Sequence, residues 1–272
     1  MRIYLPGEAW DPGRFPAVLA IGDSWFWYPF NNLPMAMAQH PRLKAPYRNI
    51  QIVGFNGAPA TDYVVWKGKR GKYAGEVERQ VSPSNAQYYS VVMISGGGND
   101  AIDWGLALKQ KCAGIADPGQ CLDLAGLQGL LDEIAGCLRI LLGQVAAAFA
   151  GHAVSVFLHG YDYPVPDGRG FTLAGLKVTG PWLQPALQAA GVDPALGLAV
   201  CHRLIDALNG TIAGLADPAK NIYHVNSLGV LDFSPGNYRH DWANEMHPTV
   251  AGFARIVDQR WIPVLAGAGI AS

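Results

Sequence analysis

Ser24 and His247 are the residues of this 272-residue chain whose types and surroundings best suit nucleophilic catalysis. Ser24 follows the apolar run Ala17–Ile21, so its hydroxyl is expected to lie exposed beyond the end of a strand. A serine becomes a nucleophile when a base within hydrogen-bond distance takes its proton. Pro248 restrains His247 toward extended backbone, which suits a base that must be held still. Taken singly, Ser24 is also typical of a helix cap and His247 of a turn before a helix.

Asn99 adds a group that could stabilise negative charge. It follows three consecutive glycines, which let the backbone approach a ligand closely. The Asn99 side-chain N–H, with the backbone N–H groups of Ser24 and Gly57, can bind the oxyanion that forms when a serine attacks an ester. Losing one such donor typically costs about 10²–10³ in rate. By itself, Asn99-Asp100 is also typical of a turn or a helix cap.

Apolar runs indicate the elements that must position these residues. Near-continuous apolar strands are typical of a parallel sheet covered on both faces. Five such runs predict strands at Ala17–Ile21, Asn49–Phe55, Ser90–Ser95, Ala153–Leu158 and Ile222–Val225. Longer helix-like stretches predict helices at Leu122–Ala150, Leu196–Ala216 and Thr249–Leu265.

The order of these elements predicts an α/β fold, a three-layer α/β/α sandwich with about five parallel strands. We expect a single domain over residues 1–272, with the Pro- and Gly-rich stretch 161–185 as a long loop or lid beside the site. Ligands bind beyond the carboxyl ends of the strands in such sheets. The segments that hold Ser24, Gly57, Asn99 and His247 are therefore expected to converge at one edge.

The composition excludes several classes of protein. Half of the residues are apolar, 15% are charged and the net charge is −1, so neither a disordered chain nor a nucleic-acid-binding protein is expected. No stretch has the apolar length of a membrane span. Residues 1–10 lack the apolar core of a signal peptide, so the prediction is a cytoplasmic protein, with a trimmed secreted form as the open alternative.

The four cysteines do not have the spacing of a metal site. They form no C-x-x-C pair and have no histidine at zinc-finger spacing, so no metal is expected. Cys112 and Cys121 bracket a short loop that contains Gly and Pro. A disulfide between them is an open alternative, which would indicate an oxidising compartment.

Together, the polar segments resemble the SGNH/GDSL hydrolase superfamily. A Gly-Asp-Ser, a Gly after the second strand, a Gly-x-Asn-Asp after the third and a late His-Pro occur in the order of that family, over roughly Val18–Phe253. The resemblance implies a flavodoxin-like fold, with Ser24 as nucleophile and His247 as base. It implies that Gly57 and Asn99 complete the oxyanion hole with the Ser24 N–H. It also implies hydrolysis of an ester or thioester without a metal or an organic cofactor.

The third member of the triad departs from the family pattern. The family has Asp three residues before the histidine, where this chain has Asn244. That residue normally fixes the tautomer of the base and stabilises the imidazolium as it forms. Three interpretations are open: Glu245 or Asp241 supplies a displaced carboxylate, Asn244 orients His247 without a charge, or the site is degraded.

Aromatic residues crowd the motifs and are candidates for a substrate pocket. Trp25 follows the serine, Trp104 follows Asn99-Asp100, and Trp242 precedes the histidine. The sequence therefore predicts serine-dependent hydrolysis of a small-molecule, lipid or glycan ester. The alternatives are a non-catalytic glycan- or partner-binding module on the same fold, and an acyltransferase that uses the same serine. The oligomeric state is left open.

Overall fold

A six-stranded parallel sheet forms the centre of the molecule, in a computed structural model that describes residues 1–28, 31–100, 105–173 and 176–272. In chain order the strands are β1 (Arg2–Tyr4), β2 (Val18–Gly22), β3 (Asn49–Gly54), β4 (Val65–Trp66), β5 (Lys69–Arg70), β6 (Val91–Ser95), β7 (Ser155–His159), β8 (Phe171–Leu173), β9 (Leu176–Thr179) and β10 (Ile222–Val225). The spatial order of the central sheet is β1-β3-β2-β6-β7-β10, and every pair in it is parallel.

Helices flank this sheet in two groups. They are α1 (Leu33–Gln39), α2 (Ala74–Gln80), α3 (Leu124–Ala148), α4 (Leu183–Ala189), α5 (Pro194–Ala213), α6 (Val250–Ile256) and α7 (Ile262–Gly267), with a π-helical turn at Val257–Trp261 between the last two. Helix α1 packs against α6, and α3 packs against α5. The result is the predicted three-layer α/β/α sandwich, with six parallel strands where about five were expected.

Burial explains why the central strands could be recognised. Strands β2 and β6 are buried along their whole length, so their sequences are apolar at nearly every position. The fifth predicted strand, β10, is found with the bounds that were predicted. The additional strand, β1, lies at the edge of the sheet and has only three residues, so it carries little pattern.

The stretch 161–185 is more ordered than the loop that was expected. It contains the antiparallel hairpin of β8 and β9, and it leads into α4. A second small hairpin, β4 with β5, was also not predicted, because two-residue strands carry no periodicity. Within the described residues, no helix has the length and apolar character needed to cross a bilayer.

The cysteine side chains are all unlinked thiols. Cys112 and Cys121 are buried and free, so the disulfide considered between them is not formed. The Cys112 sulfur instead lies within hydrogen-bond distance of two carbonyls, that of Lys109 at 3.3 Å and that of Cys121 at 3.6 Å. Burial, as the largest cause, raises the pKa of the Cys112 thiol to about 11.

Gly22 ends β2 two residues before Ser24, at a point where the backbone is tightly enclosed. A Cβ at Gly22 would lie 2.7 Å from Ser95 Cβ and 2.9 Å from Phe26 Cδ2. We expect Gly22→Ala to lower the free energy of unfolding by about 1–3 kcal/mol, because inserted atoms overpack the core. Thermal denaturation measures this.

Gly129 is the control, because it is exposed on α3 and a Cβ there meets nothing within 4 Å. Gly129→Ala should leave the melting temperature unchanged or raise it, since Ala is favoured over Gly in a helix by about 0.5–1 kcal/mol. Equal melting temperatures for the two variants would contradict the close packing at the end of β2.

Candidate active site

Four polar segments meet at the carboxyl edge of the sheet. Ser24 lies in the turn after β2, Gly57 in the turn after β3, and Asn99 in the turn after β6. His247 lies just before α6, and all four residues line one cavity of about 210 Å³. The register of the sheet explains why these segments lie together. Gly22 of β2 pairs with Gly54 of β3 and with Ser95 of β6, so the three strands end side by side.

Ser24 and His247 are hydrogen-bonded to each other. Ser24 Oγ lies 2.7 Å from His247 Nε2, and both residues are buried, with exposed fractions of 4% and 5%. On the other side of the ring, His247 Nδ1 lies 3.0 Å from Asn244 Oδ1. Because an amide oxygen only accepts, Nδ1 carries the proton and Nε2 is free to accept the hydroxyl proton of Ser24. This is the tautomer that a general base requires.

The orientation of the Asn244 amide is fixed by its neighbours. Its Oδ1 also accepts the backbone N–H groups of Met246 and His247, each at 3.0 Å. Its Nδ2 donates to the hydroxyl of Tyr28 at 3.0 Å. Exchanging Oδ1 and Nδ2 would set an NH₂ group against three N–H donors. The amide therefore holds its oxygen toward His247.

Tyr28 supports the base in a second way, by stacking. Its ring lies 4.1 Å from the ring of His247, centroid to centroid, with an interplanar angle of 14°. Trp182 contacts the same imidazole edge-on, at 5.8 Å. Burial raises the pKa of the Tyr28 hydroxyl to about 12, so it stays protonated.

Burial also controls the protonation of His247. It lowers the pKa of the imidazole from its ordinary value of 6.5 to about 3. A carboxylate on Nδ1 would oppose this shift by favouring the imidazolium, and Asn244 has no charge with which to do so. His247 is therefore a neutral base over almost the whole usable pH range.

Three groups at the cavity can donate hydrogen bonds to a developing oxyanion. Among the described residues, neither the backbone N–H of Ser24 nor that of Gly57 donates a hydrogen bond to another protein group, so both are available to a ligand. Gly57 has φ +73°, a conformation that favours glycine, and a Cβ there would meet no neighbour. Asn99 uses one side-chain N–H on the carbonyl of Ala58, at 3.3 Å, which leaves the second N–H for the cavity.

Asp100 ties together the two turns that carry these donors. Its carboxyl oxygens accept the N–H of Ala60 at 3.1 and 2.9 Å, so the turn after β6 holds the turn after β3. Burial raises the pKa of Asp100 to about 7. The contact between Asn99 and Ala58 is a second link between the same turns.

Asp23 holds the turn that carries the serine. Its Oδ1 accepts the N–H of Trp25 and the hydroxyl of Ser95, each at 3.0 Å, and its Oδ2 accepts the hydroxyl of Tyr161. Burial, the largest cause, raises the pKa of Asp23 above its ordinary value. Its hydrogen bonds fix the backbone beside Ser24 and none of them goes to His247.

Neither carboxylate that was considered as a displaced acid contacts His247. Glu245 is fully buried and its two oxygens accept four backbone N–H groups, those of Gly168, Trp182, Leu183 and Gln184. Asp241 accepts the N–H of Asp232 and pairs with Arg255. The group beside Nδ1 is therefore Asn244, and the interpretation with a displaced carboxylate is wrong for this structure.

The aromatic walls of the cavity differ from the tryptophans singled out in the sequence. Trp242 is fully buried, and Trp25 is buried with its Nε1 donating to the carbonyl of Met246 at 3.0 Å. Both line a second, smaller cavity that also includes Ser24, and neither lines the cavity at Gly57 and Asn99. Trp104 lies outside the described residues. The cavity at Gly57 and Asn99 is lined by the side chains of Tyr28, Phe171, Thr179, Trp182 and Met246. Tyr28, as an aromatic residue close to the serine, and Trp182, as an aromatic residue of the stretch 161–185, had a sequence signal, whereas Phe171 and Thr179 had none.

A metal ion has no evident place in this part of the molecule. Within 1–28, 31–100, 105–173 and 176–272, no group of three or more His, Cys, Asp or Glu side chains is arranged to hold one. The arrangement around Ser24 can perform chemistry with its own groups: a nucleophile, a base, an orienting amide and a set of N–H donors.

Comparison with solved structures shows which fold this is. The lipase Lip_vut3 from a goat rumen metagenome has a TM-score of 0.54 at 12% identity, over 93% of this chain and 97% of that one. An extracellular lipase from Streptomyces rimosus has a TM-score of 0.52 at 17% identity, over 93% and 99%. These likenesses confirm the expected fold. No protein-family model matches the sequence, and a comparison with curated proteins gives no match.

The protonation of His247 can be measured directly. We expect ¹⁵N NMR to show a neutral, Nδ1-protonated imidazole at pH 5, because the pKa of this ring is lowered to about 3. Since the unfolded chain binds this proton near pH 6.5 and the folded chain does not, the contribution of His247 to stability falls as the pH drops from about 6.5 to 3. A His247 pKa near 6.5 in the folded protein would contradict the described burial.

Proposed function

We propose that this chain is a serine esterase of the SGNH/GDSL superfamily, which hydrolyses a carboxylic ester through an acyl-enzyme on Ser24. The observation that carries the proposal is the continuous hydrogen-bond chain from Ser24 Oγ to His247 Nε2, at 2.7 Å, and from His247 Nδ1 to Asn244 Oδ1, at 3.0 Å. A nucleophile, a base and an orienting group within such distances are the signature of nucleophilic catalysis. The shared fold and the four motif segments support the same superfamily.

Acylation follows from the positions of these atoms. Ser24 Oγ attacks the ester carbonyl carbon while His247 Nε2 takes the hydroxyl proton. The N–H groups of Ser24 and Gly57 and the Asn99 side chain bind the oxyanion, where donors that are already in place need no reorganisation when the charge develops. The tetrahedral intermediate then collapses, the bond to the alcohol oxygen breaks, and His247 gives its proton to the leaving alcohol.

Deacylation repeats these steps with water as the nucleophile. His247 Nε2 takes a proton from water as the oxygen attacks the acyl carbon. The same three donors bind the second oxyanion. Collapse releases the carboxylic acid, and the proton on His247 returns to Ser24 Oγ. No metal or organic cofactor takes part in this proposal.

Asn244 keeps one function of the usual aspartate and lacks the other. In serine proteases, a change of the triad Asp to Asn lowers kcat about 10⁴-fold because the histidine adopts the wrong tautomer. Here Asn244 Oδ1 accepts three N–H groups, so its oxygen faces Nδ1 and the productive tautomer is kept. What the site lacks is the negative charge that stabilises the imidazolium in the transition state.

The cavity fits an ester with both apolar and polar parts. Tyr28, Phe171 and Trp182 supply aromatic surface, and Asn56 and Thr179 supply hydrogen-bonding groups. We propose a small-molecule, lipid or glycan ester as the substrate class on this basis. Aromatic surface with a few convergent polar groups is typical of small-molecule sites.

The proposal is tested by turnover of p-nitrophenyl esters. Ser24→Ala should lower kcat by about 10⁴-fold or more, because loss of the nucleophile of a triad removes nearly all its catalysis. Ser84→Ala is the matched control, since Ser84 is exposed and its hydroxyl bonds only Ser82, so its kcat should equal that of the wild type. Wild-type turnover no higher than that of Ser24→Ala, with no labelling of Ser24 by a fluorophosphonate, would favour a binding module instead.

The missing charge can be supplied by Asn244→Asp. We expect kcat/KM at pH 8 to rise about ten-fold and the acid limb of its pH profile to move to higher pH, because a carboxylate raises the pKa of His247. Asn226→Asp is the control: Asn226 is exposed and its Oδ1 accepts the N–H of Leu228 at 3.0 Å, a role that Asp fills equally well, and it lies outside the hydrogen-bond chain of the triad. An acid limb that does not move in Asn244→Asp would contradict the assigned role of residue 244.

A further inference from the structure

Glu245 sits beside the triad but makes all its hydrogen bonds to another part of the chain. Oε1 accepts the N–H groups of Gly168 and Gln184, at 2.9 and 3.0 Å. Oε2 accepts those of Trp182 and Leu183, at 2.6 and 2.8 Å. A buried carboxylate is costly unless it is fully hydrogen-bonded, and Glu245 has four donors.

The same two segments are also joined in the opposite direction. The carbonyl of Arg169 accepts the N–H of Glu245 at 3.2 Å. The Arg169 guanidinium donates to the carbonyls of Ala243 and Trp242, at 3.0 and 3.1 Å. Hydrogen bonds donated in both directions therefore join residues 242–245 to the two ends of the segment 168–184. We call this set of hydrogen bonds the clip. We call residues 168–184 the pocket segment.

The pocket segment supplies one wall of the cavity at Ser24. Phe171, Thr179 and Trp182 line that cavity. Phe171 contacts the ring of Tyr28 edge-on at 5.3 Å, and Trp182 contacts the ring of His247 edge-on. The position of this wall relative to the triad thus depends on what holds the two ends of the segment, and Glu245 bonds to both ends.

From this geometry we infer that Glu245 is a positioning residue that sets the substrate specificity of the site by fixing the pocket segment against the triad. The inference rests on the proposed esterase function. Glu245 touches neither Ser24 nor the His247 ring nitrogens, so it acts through Phe171 and Trp182. When its carboxylate is lost, the wall moves outward and bulkier esters enter more easily.

Asp162 provides a matched control for the loss of a buried carboxylate. It also accepts four backbone N–H groups, those of Tyr163, Gly229, Val230 and Leu231. Asp162 lines the second, smaller cavity beside Ser24, but neither it nor the loop that it holds, 229–231, lines the cavity that Phe171 and Trp182 wall. Asp162→Asn should therefore lower stability in the same way as Glu245→Gln without moving the wall that the pocket segment forms.

The test compares Glu245→Gln with Asp162→Asn and the wild type. In Glu245→Gln an NH₂ group replaces one acceptor and faces the N–H donors of the pocket segment. We expect the ratio of kcat/KM for p-nitrophenyl octanoate to that for p-nitrophenyl acetate to rise about ten-fold, within the range that pocket contacts control. Trypsin should cleave folded Glu245→Gln after Arg169 or Lys177 about ten-fold faster than it cleaves the wild type.

Arg169→Ala is the second variant, because it removes the two guanidinium hydrogen bonds to the carbonyls of Trp242 and Ala243 at a partly exposed side chain and leaves Glu245 intact. It should show the same change of ratio, smaller in size, and faster cleavage after Lys177. If Glu245→Gln does not fold, Arg169→Ala alone tests whether these hydrogen bonds set the ester preference, by its kcat/KM ratio and its cleavage after Lys177.

Two results would overturn the inference. One is a Glu245→Gln protein that melts as low as Asp162→Asn but keeps the wild-type ratio and protease resistance, since Glu245 would then be only structural. The other is an equal fall of kcat for both esters with the protease sites still protected, since Glu245 would then act in the chemistry. A wild-type protein without Ser24-dependent turnover refutes the proposed function and the specificity role, while the trypsin comparison still tests the clip.

Discussion

The hydrogen bond between Ser24 and His247 joins residues that are 223 positions apart, and the rest of the site is arranged around it. A bond of this kind needs both ends held to within a few tenths of an ångström. The sheet fixes one end, because β2 ends tightly between β3 and β6 just before the serine. The other end is fixed by the turn at 244–247, where one amide oxygen accepts three N–H groups.

The site orients His247 by hydrogen bonding and stacking, without the negative charge that an aspartate would place beside it. An aspartate beside the histidine would orient the ring and stabilise its positive form. Asn244 can only orient the ring, and Tyr28 ensures that it does so because its hydroxyl accepts a hydrogen bond from Asn244 Nδ2 and its ring stacks on the imidazole. The consequence is a buried, weakly basic histidine. The same burial takes Ser24 and His247 out of bulk solvent, where the hydrogen bond between them is less screened.

Much of this arrangement could be predicted because it depends on local sequence and on one general rule of parallel sheets. The apolar runs of β2, β3 and β6 are long enough to recognise, and their polar ends must meet at one edge. Asp23, next to the serine in the chain, holds the serine turn through hydrogen bonds from Trp25, Ser95 and Tyr161. The edge strand β1 and the small hairpins could not be predicted, because segments this short show no periodicity.

The roles of the neighbouring residues could not be predicted, because they depend on distant contacts. Glu245 looked like a substitute acid in the sequence, since nothing there shows that the pocket segment brings four N–H groups to it. Trp25 and Trp242 looked like walls of one pocket, and they line a second, smaller cavity beside Ser24 rather than the one at Gly57 and Asn99. Phe171 and Trp182 reach the cavity only because the segment between β7 and α5 folds back over the triad.

We propose that Ser24, His247 and the three N–H donors act on one reacting group. A crystal structure of the protein after reaction with an alkyl fluorophosphonate would test this. We expect phosphorus bound to Ser24 Oγ, with the phosphoryl oxygen about 3 Å from the N–H groups of Ser24 and Gly57 and from Asn99 Nδ2. An adduct on another residue, or a phosphoryl oxygen directed away from these donors, would contradict it.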